Sequence, residues 1–256
     1  RFINDAQNNV VRNCTIKGSS IATNAGVIFF SSAAGTNGGN DNITIENNII
    51  RESSNGDPIF GIVSFGTAGA PQSKWNSNNS VLNNQLVNCF YAGATICGGI
   101  HLTQGANENW TISGNSIYWT NTKNTVAAFD YWYGIRITGG NGTGFNITNN
   151  YIGGTAANCG GTPMSFASTA NGNKLVGMQL FVSSISGSAN VQGNTISNIL
   201  LNSNSSKSAS PYLFAGINVE AGSAYIGTVT SNVIGSTAAT GSIVINIASN
   251  AGGVAA

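Results

Sequence analysis

One short phrase, repeated along the whole chain, restricts the fold more than any other feature. It reads aliphatic, any residue, small or Asn, Asn, any residue, aliphatic. It occurs as ENNIIRE from Glu46, LNNQLVN from Leu82, SGNSIYW from Ser113, TNNYIGG from Thr148, QGNTISN from Gln192 and TSNVIGS from Thr230. The marked column is Asn48, Asn84, Asn115, Asn150, Asn194 and Asn232, and RNCTIKG from Arg12 puts Cys14 in that place in the first copy. Counted from Cys14, the marks recur at intervals of 34, 36, 31, 35, 44 and 38. Self-similarity at such a period means that each copy is a unit unable to bury its apolar face alone, so copies must stack into a solenoid or close into a propeller.

A second column lies between the Asn marks: GVIFF from Gly26, GIVSF from Gly61, GIHLT from Gly99, GIRIT from Gly134, GMQLF from Gly177 and GINVE from Gly216. Each alternates apolar with other residues, the period of a strand. The separations Gly99 to Asn115, Gly134 to Asn150 and Gly216 to Asn232 are identical, and Gly177 to Asn194 is longer by a single position. The other sector is not constant: the stretch from Asn150 to Gly177 is more than twice as long as that from Cys14 to Gly26. Length variation confined to one sector predicts loops on one side of a stack. Nowhere does the chain show the spacing and caps of a helix.

Short strands, a near-constant coil and Asn at a recurring corner predict an all-β fold: a single-stranded parallel β-helix of about seven coils, one domain over residues 1–256. Like residues of successive coils then stack about 4.8 Å apart. Stacked Asn amides can hydrogen-bond along the axis, and Asn tolerates the left-handed backbone of a tight corner. A propeller needs four strands per blade, and the long loops leave too little strand for that. The pattern resembles the right-handed parallel β-helix superfamily, the pectin-lyase-like fold shared by pectin and alginate lyases, polygalacturonases, phage tailspikes and long bacterial surface proteins. The phrases AANCGGT and NNYIGG are similar to those of repetitive extracellular bacterial proteins. The resemblance implies a fold and no particular chemistry.

Composition narrows the function classes. Charged residues make up 7% of the chain, against the roughly 25% usual in soluble domains. Nine basic and eight acidic side chains are scattered singly, with neither a phosphate-binding stripe nor a polybasic membrane patch, so nucleic acid is not an expected partner. No apolar run is long enough to span a bilayer as a helix. Cys14, Cys89, Cys97 and Cys159 lack zinc-site spacing, and Cys89 and Cys97 are near enough in sequence to pair in an oxidising compartment. Neither end of the chain reads as a polar cap, which points to a segment of a longer protein or a subunit stacking end to end on copies of itself.

Alternation places the first and third residues after each Gly inside and the second and fourth outside. The second column runs Ile28, Val63, His101, Arg136, Gln179, Asn218 and the fourth Phe30, Phe65, Thr103, Thr138, Phe181, Glu220. The resemblance implies a binding groove along such a sheet, so His101, Arg136, Gln179, Asn218 and Glu220 are candidate ligand-binding residues. A polysaccharide lyase needs a base for the proton alpha to a uronate carboxylate and a cation for the enolate, roles that suit His101 and Arg136. A hydrolase needs two facing carboxylates, and Glu220 has none on neighbouring strands. The insertion SIYWTNTKNTVAAFDYWYGIR adds Tyr118, Trp119, Tyr131, Trp132 and Tyr133 as rings for stacking on sugars, with Asp130 and Asn124 to bond hydroxyls. No cofactor or metal is implied. The expectation is a secreted or cell-surface structural module, an adhesin, stalk or filament segment that meets a glycan or a neighbouring surface, with a lyase as the alternative.

Overall fold

In the computed structural model the chain is a parallel β-helix, and the structure describes residues 1–23, 25–31, 38–66, 71–93, 96–103, 105–125, 131–169, 173–203, 212–236 and 242–247. Among the described residues its strands form four walls, each built of parallel strands one turn apart. The Gly-column strands make a six-stranded sheet: Ile28–Ser31, Phe60–Phe65, Ile96–Thr103, Tyr131–Ile137, Lys174–Phe181 and Phe214–Ala221. A second wall of seven strands runs from Val10–Arg12 to Ala224–Ile226. A third, also of seven, runs from Thr15–Gly18 to Val233–Ile234. The fourth has four strands among the described residues, Lys123–Thr125, Met164–Ser168, Ile199–Ser203 and Ile243–Ile247, and so begins partway along the axis. Among the described residues there is no α-helix, hence none long and apolar enough to cross a membrane, and a single 3-10 turn spans Gln72–Lys74. A short two-stranded pair, Asn76–Ser77 with Asn107–Glu108, lies between the Gly sheet and the second wall.

The core is a set of vertical aliphatic columns. Ile45, Val81, Ile112, Ile147 and Val191 stack in the second wall and Ile50, Leu86, Ile117, Ile152 and Ile196 in the third, nearly all at zero exposure. The Gly column explains itself against the third wall. A Cβ at Gly99 would lie 2.8 Å from Ile117 Cγ2, at Gly134 2.8 Å from Ile152 Cδ1, and at Gly177 2.6 Å from Ile196 Cδ1. The isoleucine stack is seated where those side chains would be, so only Gly lets the two walls close.

At the corner between the second and third walls the marked Asn residues form a continuous amide ladder. Asn48 Nδ2 donates to Asn84 Oδ1 at 3.0 Å, Asn84 to Asn115 at 3.0 Å, Asn115 to Asn150 at 2.9 Å, Asn150 to Asn194 at 3.0 Å and Asn194 to Asn232 at 2.9 Å. Each Oδ1 also accepts the backbone N–H of the preceding mark, including Cys14 N at 3.0 Å from Asn48. The second Nδ2 hydrogen goes to a second-wall carbonyl, as from Asn115 to Val81 O at 2.8 Å. From Asn84 to Asn194 every hydrogen-bonding position of the buried amide is thereby used. The left-handed backbone, expected on the ladder Asn itself, falls on the residue before it: Asn13, Asn47, Asn83 and Asn149 have φ of 57, 55, 55 and 55°, and Gly114 and Gly193 take 70 and 65°. The preceding residue makes the turn, and this frees the ladder Asn to point its amide inward.

The expected outer strip is corrected at its first copy. Ile28 pairs with Ile62, and Phe30 with Ser64, so both face the interior, and Phe29 and Ser31 take the outer places. Gly26 therefore sits one residue out of line with Gly61, a slip that reverses every side chain of a strand.

Candidate functional site

The outer face of the Gly sheet holds in register Val63, His101, Arg136, Gln179 and Asn218, one residue per turn. Their heads bond across the turns. Arg136 Nη1 lies 2.8 Å from His101 Nε2, Arg136 Nε donates to Gln179 Oε1 at 2.9 Å, and Gln179 Nε2 donates to Glu220 Oε2 at 2.5 Å. Glu220 reaches this row because the last strand pair shifts register between Leu180 and Phe181; Val219 faces Leu180 and Ala221 faces Phe181. That bulge turns Glu220 back toward the Gln179 column.

His101 is only 4% exposed, its ring packed against Phe60 with centroids 4.8 Å apart. Burial, and then the Arg136 charge, push its pKa down to about 3, so the imidazole is neutral. A guanidinium only donates, so Nε2 is the acceptor and the proton is assigned to Nδ1, which has no partner among the described residues. Burial also lowers the Arg136 pKa, an effect opposed by Tyr133, whose ring lies 5.0 Å beneath the guanidinium. Tyr133 is itself pushed up to about 12 by burial.

Beside this row stands a second cation. Lys174 Nζ sits 4.7 Å from the Tyr131 ring and 4.6 Å from that of Tyr212, a two-ring clamp. Burial lowers the Lys174 pKa and Glu220 opposes the shift. Tyr212 OH accepts from Asn218 Nδ2 at 2.9 Å, which ties the clamp to the Gln179 column. Tyr131, Lys174, Tyr212, Arg136 and Asn218 are half-buried and Glu220 is exposed, so the accessible surface combines two cations, the polar heads of Asn218 and Glu220, and two tyrosine edges. His101 and Gln179 lie beneath it and hold Arg136 in place.

The structure divides the aromatic insertion into parts. Tyr131 and Tyr133 belong to the outer face. Trp119 and Trp132, expected to stack on a ligand, are instead 1% exposed and edge-to-face at 4.9 Å, with Phe90 and Phe166 packed around Trp119 at 5.4 and 6.1 Å. Trp132 Nε1 donates to Cys89 O at 2.9 Å. These rings fill the interior where the fourth wall begins, and neither can meet a solvent ligand. Tyr118 lies on the third wall, away from the Gly sheet, its OH 2.6 Å from Gln85 Oε1. Asp130 lies outside the described residues. Cys89 and Cys97 are both buried and no disulfide joins them.

Two groupings that linear spacing does not reveal also appear. Asp41 is brought close enough to Asp5 and Glu108 to feel their charge; burial leads in raising its pKa, against a hydrogen bond from Ser77 N at 2.7 Å. Lys123, 4% exposed, pairs with Asp57 of an earlier turn at 2.5 Å. Nothing in the sequence around Lys123 marks it as a buried cation; only the coil path joins it to Asp57. No grouping of three or more His, Cys, Asp or Glu able to hold a metal occurs among the described residues.

No family model matches the chain, and no curated protein matches it. Among solved structures, the Streptococcus pneumoniae surface protein and adhesin PfbA aligns with a TM-score of 0.38 and 15% identity, covering 89% of this chain and 67% of that one. So loose a likeness carries no argument about this chain, and the assignment to the parallel β-helix class rests on its own strand registers.

Proposed function

We propose that the protein is a secreted or cell-surface structural β-helix module that binds an acidic glycan on the outer face of its Gly sheet. The observation that carries this reading is the fixed pair of cations, Arg136 braced by His101 and Gln179, and Lys174 clamped between Tyr131 and Tyr212. A carboxylated or sulfated sugar offers both things such a surface selects: an anion for the guanidinium and ammonium, and a ring face and hydroxyls for tyrosine, Asn218 and Glu220. Apart from Tyr212, which precedes its strand, the groups sit on a paired sheet, so little ordering accompanies binding. The low overall charge and amide-rich surface suit a rod whose role is to hold such a face at a distance.

Geometry weighs against the lyase alternative. A general base needs an accessible lone pair, and the one on His101 points at Arg136 in a buried ring that stays neutral down to about pH 3. Glu220 has no carboxylate partner on this face among the described residues. The test is calorimetric titration with oligogalacturonate and with its methyl-esterified form. The acidic oligomer should bind, weaken with salt, and lose about tenfold in affinity in Arg136→Ala and in Lys174→Ala, one charge-assisted contact each. Equal binding of the neutral ester, or appearance of unsaturated uronate product during the titration, would overturn it.

A further inference from the structure

The fourth wall starts at Lys123–Thr125, which pairs on one side with Met164–Ser168 and has no strand on its other side among the described residues. Where the wall stops there is a cleft of about 320 Å³, lined by Asp57, Phe90, Tyr91, Asn121, Lys123 and Asn124 among others. We propose that this cleft is a second binding site, taking an uncharged saccharide unit of one or two rings, separate from the acidic-glycan face of the Gly sheet.

Charge sets the class of occupant. Of the residues lining the cleft, Lys123 is the one cation and Asp57 the one carboxylate, and they are paired, Nζ to Oδ2 at 2.5 Å. The cleft therefore carries no net charge to attract an anion or a cation. Holding a lysine at 4% exposure is costly unless its partner is fixed, so the pair is a rigid part of the wall. Asp57, oriented by the ammonium, accepts from a hydroxyl, and the exposed amides of Asn121 and Asn124 both donate and accept. That set matches the hydroxyls of a neutral sugar. Tyr91, half-buried, lines the cleft and supplies an aromatic group for the apolar side of such a ring.

The floor is preorganised. Phe90 is held edge-to-face by Trp119 at 5.4 Å and by Phe166 at 5.8 Å, both in the core. Behind it, Trp119 Nε1 is a buried donor without a partner among the described residues. The volume lies at the low end of small-molecule sites, about 300–1,000 Å³, which favours a short saccharide over a long chain.

The test is a ¹H–¹⁵N titration of the whole chain with methyl glycosides of neutral hexoses and N-acetylhexosamine, and with glucuronate as the acidic counterpart. At least one neutral sugar should shift the Tyr91, Asn121 and Asn124 signals and saturate with a Kd of about 1–10 mM. At those three signals glucuronate should act about tenfold more weakly. Tyr91→Ala should lower the affinity about tenfold, and Asn124→Ala about threefold with its melting temperature unchanged, whereas Lys174→Ala should leave the affinity unaltered. Asn124 is exposed, so its loss reads binding and not folding. The proposal is overturned if no neutral sugar moves those signals, if glucuronate moves them at lower concentration than the neutral sugars do, or if Tyr91→Ala and Asn124→Ala bind as the parent does. The acidic-glycan reading would stand in each of those cases.

Discussion

Asn115→Ala removes the centre of the amide ladder and gives the sharpest stability test of the fold. The side chain has zero exposure and makes four good hydrogen bonds: Nδ2 to Asn150 Oδ1 at 2.9 Å and to Val81 O at 2.8 Å, and Oδ1 from Asn84 N at 2.9 Å and Asn84 Nδ2 at 3.0 Å. At about 1 kcal/mol each, with two donors of Asn84 left buried and unpaired, the loss comes to about 4 kcal/mol. Asn232 makes three such bonds, to Val191 O and from Asn194 N and Nδ2, and is half-buried, so water replaces part of what alanine deletes. Asn232→Ala should cost only about 1–2 kcal/mol. Equilibrium urea unfolding measures both, and amide exchange at Asn84 reads the orphaned N–H directly. Equal costs for the two variants, or a cost below about 1.5 kcal/mol at Asn115, would refute the view that the ladder is a stabilising element and not a by-product of strand stacking.

Protonation should destabilise the fold through His101. Its pKa is about 3 in the folded chain against an ordinary 6.5, so between those values the unfolded chain binds a proton that the folded one rejects. Stability from this residue is complete above about pH 6.5 and falls toward pH 3 by about 1.4 kcal/mol per pH unit. Urea midpoints should show that slope, and His101→Gln, which can still accept from Arg136, should flatten it; an unchanged slope would sink the assignment. Gly134→Ala should destabilise by about 1–3 kcal/mol, because the new Cβ would lie 2.6 Å from Gly177 O and 2.8 Å from Ile152 Cδ1. Ile152→Val, which removes that Cδ1, should recover part of the loss in the double variant, and full additivity of the two changes would argue that the walls do not meet there.

The Gly and Asn columns are legible in the sequence because a solenoid repeats a local constraint: each copy meets its own likeness, so one alignment places them all. His101, Arg136, Gln179 and Asn218 line up as one row for that reason. The burial of His101 is not legible, because it depends on Phe60 one turn away and on a neighbour's charge. Trp119 and Trp132 look like surface rings in the sequence because their segment is an insertion. In a coil an insertion lengthens the perimeter, and the enclosed space must be filled to normal packing density. The pairing of Lys123 with Asp57 leaves no trace in the sequence, since the notch that joins them exists only where one wall stops.

The amide ladder also gives the rod an electrical arrow. Strand hydrogen bonds point both ways along the axis and their dipoles largely cancel. The side-chain amides do not: from Asn48 to Asn194 one Nδ2–H of each is aimed toward the later turn, and from Asn84 to Asn232 each Oδ1 is aimed toward the earlier one. Aligned amides polarise one another, so the column behaves as a chain of like-oriented dipoles with its positive pole at the Asn232 end.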